Sequence, residues 1–309
     1  MAISRSQLVK ELEPGLNALF GLEYSRYENE HAEIFMSESS DRAFEEEVML
    51  TGFGSAAVKQ EGAGVVYDNA TESFTSRYTH ETVALAFAIT EEAIEDNLYD
   101  RLASRYTRAL ARSMANTKQV KAAAVLNNAF NTTGAYNGGD GVALCTINHP
   151  LATGGTFRNE LSTAADFNET SLEQSLIDIA SFVDERGLKI AIQGRKLIIP
   201  KELQFTAERV LKTPLSTTLT GSDYAKNDIN AIMNMGMIPE GYRVNHFLTD
   251  TDAFFIMTDA PNGLKNFVRS PIKTAIEGDF DTGNVRFKAR ERYSFGWSDP
   301  RGIFGSPGA

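Results

Sequence analysis

The sequence predicts an α+β protein built around one long helix, and three observations support this prediction. Residues 90–131 contain no glycine or proline and are rich in strong helix formers. Residues 39–80 predict a long hairpin, and residues 284–297 predict a strand with one apolar and one basic face. Residues 170–275 alternate helix and strand signals, which indicates a compact α/β unit.

The composition excludes several classes of protein. The chain has 309 residues, a formal net charge of -11 and a pI of about 5.0, which argues against a dedicated nucleic-acid binder. The single cysteine excludes an internal disulfide framework and a cysteine-rich metal site. No apolar run is long enough for a membrane helix, and the N-terminus lacks the apolar core of a signal peptide.

Residues 1–38 predict an extended arm with short helical pieces, because their apolar residues show weak periodicity. A short helix is expected from Ser4 to Lys10, with Pro14-Gly15 ending it. In the hairpin that follows, Phe44–Leu50 and Ser73–Tyr78 are the two strands. The glycine-rich tip between them cannot bury itself, so we expect it to be disordered or to pack on another chain.

The hairpin tip contains Gly52-x-Gly54-x-x-Ala57, which superficially matches a dinucleotide-binding fingerprint. That fingerprint must follow a strand and begin a helix. Further glycines at Gly62 and Gly64 make a helix here improbable, so we do not expect a phosphate site.

Residues 81–89 alternate strictly between bulky residues and alanines, which predicts a strand that is covered on both faces. The strand leads into the long helix, for which Thr90 is the expected cap. Apolar residues four apart form a stripe that drifts around this helix, so we expect different partners along its length: Ile94, Leu98, Leu102, Tyr106, Leu110 and Met114. Of these, Leu102, Tyr106 and Leu110 are expected to pack on the sheet of the same chain.

After a loop-rich stretch at 131–169, the compact unit begins with the expected capping box Thr170-x-x-Glu173. Its first helix is expected to end at Gly187. The other expected elements are strands LKIAIQ, KLIIP, YRVNHFL and AFFIMTD, a helix from Pro200, and a helix capped by Asn227 or Asp228 that ends at Gly236.

Two sets of cations share a surface in the predicted elements. Arg286, Lys288, Arg290 and Arg292 line one face of the last strand, and Arg101, Arg105, Arg108 and Arg112 share one face of the long helix. Because the chain is acidic, we expect ion pairs between subunits more than contact with nucleic acid or a merely solvated face. Glu291 falls on the apolar side of the last strand, which suggests a bulge or a partner from another chain.

Residues that suggest chemistry are few. Cys145 and His149 share the loop LCTINHP, but a catalytic dyad is assembled from distant residues, so we expect a small buried thiol and a loop histidine. The histidines are scattered (His31, His80, His149 and His246). Asp250-x-Asp252 is expected to cap a turn and not to bind a metal. We therefore expect no catalytic, cofactor-binding or metal-binding residue and no enzyme activity.

The order of elements and several motifs resemble the major capsid proteins of tailed bacteriophages with the Hong Kong 97-type fold. GGDGVALCTINHPLATGGTFRN is similar to the stretch after the long helix in the Mu-like prophage major head subunit group. GRKLIIPKELQFTAERVLKT, GYRVNHFLTDTDAFFIMTDAPNGLKNFVR and YSFGWSDPRGIFGS also resemble that family. The resemblance covers nearly the whole chain.

This resemblance implies a division of the chain into named parts. They are an N-terminal arm (1–38), an extended loop (39–80), a peripheral domain with its spine helix (81–150, helix 90–131), an axial domain (151–279) and a closing strand of the peripheral domain (280–309). It implies a structural role in which hexamers and pentamers close into an icosahedral virion shell, assembled in the host bacterial cytoplasm. The implied partners are other copies of the chain, a scaffold protein, the portal, a decoration protein and packaged double-stranded DNA, with no membrane and no cofactor.

Some members of this family crosslink an extended-loop lysine to a peripheral-domain asparagine with the help of a glutamate. The matching residues here would be Lys59, Asn284 and Glu291, but Asn284 and Glu291 point to opposite faces of a regular strand, so we do not expect this reaction. Some members also carry a scaffolding segment before the arm; we expect it to be removed or replaced by a separate protein.

Two alternatives remain at this point. A bacterial nanocompartment shell, encapsulin-like, has the same fold and would enclose an enzyme cargo. A Cys-His hydrolase with Cys145 as the nucleophile belongs to a different class and is disfavoured because such a dyad is assembled from distant residues with a third orienting group, and not from near neighbours.

Overall fold

The computed structural model describes residues 5–90, 92–93, 99–134, 136–215, 229–279 and 283–309, with the side chains of 5–14 and 99–102 outside that description. Several predictions fall outside it: the stripe residues Ile94, Leu98 and Leu102, the Arg101 side chain, and the caps Asn227 and Asp228. Within the described residues, no helix combines the length and apolar character needed to cross a membrane.

The helices and strands have the following bounds. In chain order they are α1 (Arg5–Tyr24), β1 (Met36–Ser39), β2 (Phe44–Leu50), β3 (Glu72–Thr79), β4 (Glu81–Ile89), α2 (Tyr99–Asn127), β5 (His149–Pro150), β6 (Thr156–Phe157), α3 (Glu169–Ala180), β7 (Gly194–Ile199), α4 (Gln204–Lys212), α5 (Ala231–Met235), β8 (Tyr242–Val244), β9 (Phe254–Thr258), β10 (Leu264–Gly278), β11 (Val285–Trp297) and β12 (Ile303–Ser306). The chain divides into two compact units. Unit 1 contains the stretches up to Glu45, Tyr78–Ala122 and Asn266–Phe295, and unit 2 contains Glu46–Arg77, Ala123–Lys265 and Gly296–Ala309.

Unit 1 is built on a sheet with the strand order β1-β10-β11-β4. The last two strands pair antiparallel in an unbroken register, from Val285 opposite Ile89 to Tyr293 opposite Glu81. Helices α1 and α2 pack on the apolar face of this sheet. The buried residues of this core are Leu16, Phe20, Ile89, Ala103, Leu110, Ala111, Met114, Phe287 and Ala289.

Helix α1 corrects the prediction of a short helix that ends before Pro14-Gly15. The helix runs without interruption through both residues to Tyr24. Proline removes one backbone hydrogen bond and crowds the preceding turn, but the second half of the helix is anchored because Leu16 and Phe20 are buried against the sheet. Tertiary packing therefore overrides the local signal for helix termination.

Helix α2 is the predicted spine helix, but a different set of its residues faces the core. The buried positions include Ala103, Thr107, Leu110 and Met114, which are spaced four, three and four apart and so hold one face. Leu110 and Met114 belong to the predicted stripe, whereas Tyr106 is 48% exposed and only touches Phe87, with ring centroids 5.8 Å apart. The core side of the helix is lined mainly by small residues because the sheet lies close to it. The helix ends at Asn127, before the predicted residue 131.

Unit 2 contains the second sheet, with the order β12-β9-β7-β8. Strand β7 pairs parallel with β8 and antiparallel with β9. Both faces of the central strands are covered, since Leu197, Ile198 and Ile199 are completely buried, as are Phe254 and Ile256. This sheet confirms the predicted buried strand AFFIMTD.

Local boundaries in unit 2 differ from the prediction. Helix α3 is capped by Asn168 in a capping box with Ser171, and not by Thr170 with Glu173. It ends at Ala180, before the predicted Gly187, because Phe182 turns into the core. LKIAIQ makes only an isolated bridge at Lys189, while KLIIP belongs to β7. Helix α5 is capped by Asn230 and ends at the predicted glycine, Gly236, which adopts φ 61.

Strand β10 is the longest strand and was not predicted. It spans 15 residues of the stretch LKNFVRSPIKTAIEG. Its Pro271 lacks a donor for a sheet hydrogen bond, which in sequence argues against an internal strand. Pairing with β1 and β11 nevertheless holds the segment extended, so the neighbouring strands and not local propensity determine its structure.

Candidate functional site

Cys145 and His149 do not form a nucleophile–base pair. The His149 side chain is completely buried, and its Nδ1 lies 2.6 Å from Oδ2 of Asp140. Its Nε2 lies 3.0 Å from Oδ1 of Asn159 and 3.2 Å from the carbonyl oxygen of Leu144. Both ring nitrogens therefore face acceptors, and neither is available to take a proton from the thiol.

Asn159 links this histidine to the surrounding backbone. Its Nδ2 donates to the carbonyls of Leu144, Pro300 and Ile303, and its Oδ1 accepts from the backbone N–H of Thr146 at 2.9 Å. These contacts fix the orientation of the amide, so the oxygen faces His149. The ring of His149 is thus held between Asp140 on one side and Asn159 and Leu144 on the other. The network ties the loop after α2 to the C-terminal strand, which is a structural role.

Cys145 behaves as a small core residue. Its side chain is buried, and a Cβ added at Gly305 would lie 2.9 Å from its Sγ. Burial, and then the charge of Glu160, raise the pKa of the Cys145 thiol well above its usual value. Because the thiolate is the nucleophilic form of cysteine, this environment makes the residue inert. The geometry therefore does not support the hydrolase hypothesis.

The remaining candidate residues do not converge on one site. Burial lowers the pKa of His31 to about 4 and also lowers the pKa of His80, which lies between Ser40 and Ser294. The hydrogen bond with Asp250 raises the pKa of the Asp252 carboxyl. Over the described parts of the chain, no three His, Cys, Asp or Glu side chains are arranged to hold a metal ion.

Glu291 has its partners inside its own subunit, which corrects the prediction of a bulge or an inter-chain partner. The pairing with β4 is regular at this position. The Tyr24 hydroxyl donates to the buried carboxylate at 3.2 Å, and Nζ of Lys118 lies 3.5 Å away, at 5.1 Å from the ring centre of Tyr293. Burial is the main cause that raises the pKa of Glu291. The cluster joins α1, α2 and the sheet.

The three residues considered for a crosslink have different environments. Lys59 is exposed in the hairpin tip, Asn284 is half-buried just before β11, and Glu291 is engaged by Tyr24 and Lys118. A glutamate that is held by a lysine of its own subunit is a poor candidate to assist a reaction between two other chains. We therefore still do not expect this crosslink to form.

The hairpin of β2 and β3 confirms the two predicted strands and exposes most of its apolar side chains. The exposed residues of β2 are Phe44, Glu46, Val48 and Leu50. In the tip, Val58 is 95% exposed and Tyr67 is 91% exposed. No helix forms at Gly52, so the dinucleotide fingerprint is excluded. Isolated exposed apolar residues are common, but a continuous series indicates an interaction surface.

The base of the hairpin tip, in contrast, is anchored by hydrogen bonds within the chain. Oδ2 of Asp68 accepts from the Gly54 N–H at 2.7 Å, and its Oδ1 accepts from Arg186 at 2.7 Å. The Gly54 contact is the main cause that lowers the pKa of Asp68. The same guanidinium donates to the carbonyls of Gly52 and Asn69. The base of the tip is therefore anchored within the chain, while the apolar side chains beyond it are left uncovered.

One face of the unit 1 sheet is basic, as the sequence predicted. Residues of β11 alternate between buried and exposed, and the exposed ones lie beside alanines of β4: Arg286 opposite Ala88, Lys288 opposite Ala86, and Arg290 opposite Ala84. Arg286 pairs with Asp279. The alanine row is exposed, so the prediction that β4 is covered on both faces is wrong within the single chain.

The arginine face of α2 is also exposed. Arg105, Arg108 and Arg112 all face solvent, as predicted. The guanidinium carbon of Arg112 lies 5.9 Å from the ring centre of Tyr27, which is a weak cation–π contact. This face lies on the side of the helix away from Leu110 and Met114.

Unit 2 exposes a smaller apolar area near α4 and α5. Phe205, Ile229 and Met235 are all more than half exposed. A domain with a completely buried central sheet has no internal need for these residues at its surface. They indicate a second contact area.

Comparison with protein families identifies one family over most of the chain. The model of a family described as phage capsid protein matches residues 72–305. A comparison with curated proteins finds no match.

Solved structures of capsids share the fold. The capsid of cyanophage P-SCSP1u matches with a TM-score of 0.58 and 11% identity, covering 89% of this chain and 86% of the other. The procapsid of bacteriophage JBD30 matches with a TM-score of 0.51 and 14% identity, covering 98% and 76%, and a virus-like particle from Pyrococcus furiosus with 0.51 and 11%, covering 95% and 98%. The predicted α+β fold of the Hong Kong 97 type is therefore confirmed.

Proposed function

This chain belongs to the phage capsid protein family, and we propose that its copies form the hexamers and pentamers of an icosahedral tailed-phage head around double-stranded DNA. Its role is structural: each copy is a subunit of the virion shell. No described cluster of residues has the geometry of a catalytic centre, and the polar networks around His149 and Glu291 tie elements of the fold together.

The observation that carries this proposal is the uncovered hairpin. Its base is anchored by Asp68 and Arg186, yet Val58, Val66 and Tyr67 face solvent. Apolar side chains of this size are each worth about 1.5 to 3 kcal/mol when buried. Another molecule must therefore cover these side chains, and in a closed shell that molecule is a neighbouring copy of the same chain.

The parts of the chain receive their roles from this assignment. Residues 1–38 are the arm and 39–80 the extended loop. The sequence placed the peripheral domain at 81–150 and 280–309 and the axial domain at 151–279. Since β10 lies in the sheet of unit 1 and β12 in the sheet of unit 2, we assign β10 to the peripheral domain and β12 to the axial domain around capsomer centres. The exposed residues of α4 and α5 supply contacts between axial domains. The basic sheet face supplies ion pairs with acidic surfaces of neighbouring copies.

Further partners follow from the same role. A scaffold protein and the portal act during assembly in the host bacterial cytoplasm, and a decoration protein can bind the outer wall. Packaged DNA contacts the inner wall without sequence specificity.

The test is negative-stain microscopy of the purified full-length protein, alone and with a scaffold protein. We expect closed shells or capsomer-sized rings. Compact monomers at every concentration and with scaffold present would contradict the proposal. Sedimentation gives the same distinction in solution, since an assembled shell sediments far faster than a small oligomer.

A nanocompartment shell is the alternative with the same fold. The family match to phage capsid proteins disfavours it. Particles purified from cells separate the two roles: nucleic acid inside the shell supports the phage head, whereas a single co-purifying enzyme would support the nanocompartment.

A further inference from the structure

Unit 1 carries two basic surfaces on opposite sides of its sheet. Helix α2 packs on the apolar face through Leu110 and Met114, so the outer side of the helix presents Arg105, Arg108 and Arg112. The opposite face of the same sheet presents the exposed β11 cations, among them Lys288 and Arg290. A shell wall has one inner side. At most one of these two surfaces can therefore face a packaged genome.

The helix surface is purely cationic. Between Ala103 and Asn127 the chain has five lysines and arginines and no aspartate or glutamate, although its net charge is -11. The three exposed cations are all arginines, whose planar guanidinium matches phosphate oxygens. The exposed residues beside them are mixed, since Ser113 and Asn116 are polar while Tyr106 and Val120 are each 48% exposed. The cationic charge is therefore what distinguishes this surface.

The spacing of the arginines suits a phosphate backbone. They lie three and four residues apart, so the three cover roughly 10 Å along the helix axis at about 1.5 Å per residue. A strand of duplex DNA carries one charge per about 3.4 Å of axis, so this length corresponds to roughly three phosphates.

The sheet surface has the character of a protein contact. Its cations stand beside the exposed alanines of β4, which form a flat apolar row. Arg286 is already paired with Asp279, and the Nε atom of Arg292 is buried without a hydrogen-bond partner among the described residues. Both cations are therefore less available to a phosphate backbone than the three exposed arginines of α2.

We propose that the arginine face of α2, made of Arg105, Arg108 and Arg112, binds the phosphate backbone of packaged duplex DNA and forms part of the inner wall of the shell. The basic face of the β10–β11–β4 sheet then faces protein. This inference rests on the proposed capsid function and adds to it which surface of the subunit meets the genome.

The test compares two triple variants of the full-length protein that lose the same charge. The helix variant is Arg105→Gln, Arg108→Gln and Arg112→Gln. The sheet variant is Lys273→Gln, Lys288→Gln and Arg290→Gln, where Lys273 is an exposed residue of β10 on the face opposite Ile272. Binding of a short fluorescent duplex to unassembled subunits is measured over a series of salt concentrations. The slope of log affinity against log salt changes by about 0.9 for each phosphate that the protein no longer neutralises, so the helix variant should lose roughly two to three units of slope and the sheet variant less than one.

A third variant, with all three arginines replaced by lysine, tests whether charge on this face suffices, and we expect it to keep most of the slope. Circular dichroism confirms that each variant is folded. Equal losses in both triple variants, a larger loss in the sheet variant, or normal duplex binding by the helix variant would overturn the inference. Loss of assembly with unchanged duplex binding in the helix variant would show a protein contact and also overturn it.

Particle formation is scored separately by microscopy. Absence of shells in the unaltered protein is a failure of the proposed function, whereas shells without duplex binding through α2 are a failure of this inference alone.

Discussion

The two four-stranded sheets of this protein differ in how completely their own chain covers them. In unit 2, residues on both faces of β7 and β9 are inaccessible, from Leu197 to Ile199 and from Phe254 to Ile256. In unit 1, β11 is buried on one face only, and the neighbouring alanines of β4 are exposed. Both sheets have four strands. The central strands of the unit 2 sheet are buried on both faces, whereas the unit 1 sheet is buried on one face and exposed on the other.

The difference indicates two kinds of stability. The core of unit 2 is packed like that of an independent domain, so substitutions there should change the free energy of unfolding of the subunit. The exposed surfaces of unit 1 and of the hairpin contribute little to the stability of the isolated subunit, so substitutions there should change association between subunits. Substitutions in the two regions should therefore separate folding from assembly.

The largest effect on stability is expected for Phe254→Ala in β9. Removal of this completely buried ring should lower the free energy of unfolding by about 3 to 5 kcal/mol, because a cavity remains in a sheet that is covered on both faces. The exposed ring of Phe205 provides the control, and Phe205→Ala should change stability by less than about 0.5 kcal/mol. Urea unfolding of both variants is the measurement; similar losses would show that β9 is not a closed core.

A smaller loss is expected for Lys118→Met in unit 1. This change leaves the carboxylate of Glu291 buried with only the Tyr24 hydroxyl, which should cost about 2 to 4 kcal/mol at neutral pH. The cost should shrink in acid, because the protonated carboxyl carries no charge. The matched control is Lys121→Met, which breaks the exposed pair with Glu81 and should cost less than about 1 kcal/mol. Equal effects of the two changes would contradict a buried role for Glu291.

The pH dependence of stability tests the same region through His31. Burial, followed by the charge of Lys118, lowers its pKa from 6.5 to about 4 in the folded chain. The unfolded state therefore binds more protons between these values, so stability is complete above pH 6.5 and falls as the pH is lowered towards 4. His31→Gln should remove roughly 1 to 2 kcal/mol of that decline. Urea unfolding at several pH values checks it, and parallel curves for the two proteins would refute it.

The smallest effect on stability is expected in the hairpin tip. Val66→Ser with Tyr67→Ser should change the free energy of unfolding by less than about 0.5 kcal/mol, because both side chains are exposed. The same change should abolish or strongly reduce shell formation, measured by sedimentation. The control Lys59→Gln, also in the exposed tip, should assemble normally. Normal assembly of the double variant would show that the tip is not an inter-subunit contact.

Strict alternation made some elements predictable from the sequence. β4 and β11 lie within a residue of the predicted bounds, because a period of two over nine or more residues is hard to satisfy in any other structure. The exposed cations of β11 and α2 followed from the same periodicities. The inert character of Cys145 was also expected, although its burial against Gly305 could not be read from the sequence.

Other features depended on contacts between distant residues. The partners of Glu291 come from positions 24 and 118, and Asn159 binds carbonyls at 300 and 303. No local pattern encodes such pairs, so the buried carboxylate suggested a bulge or an inter-chain site. The exposed alanine row of β4 was missed for the same reason. A strand face of small residues indicates that another element packs closely on it, but it does not show whether that element belongs to the same chain.

By itself the sequence determined the long helix, the hairpin, the alternating strands and the two cationic faces, because each depends on a periodicity that the backbone imposes on neighbouring residues. Only the tertiary structure decided that α1 continues through Pro14, that β10 is a strand despite Pro271, and which side of α2 is buried. In each of these cases the free energy gained by packing against other elements exceeds the local preference, and that gain depends on residues far away in the chain.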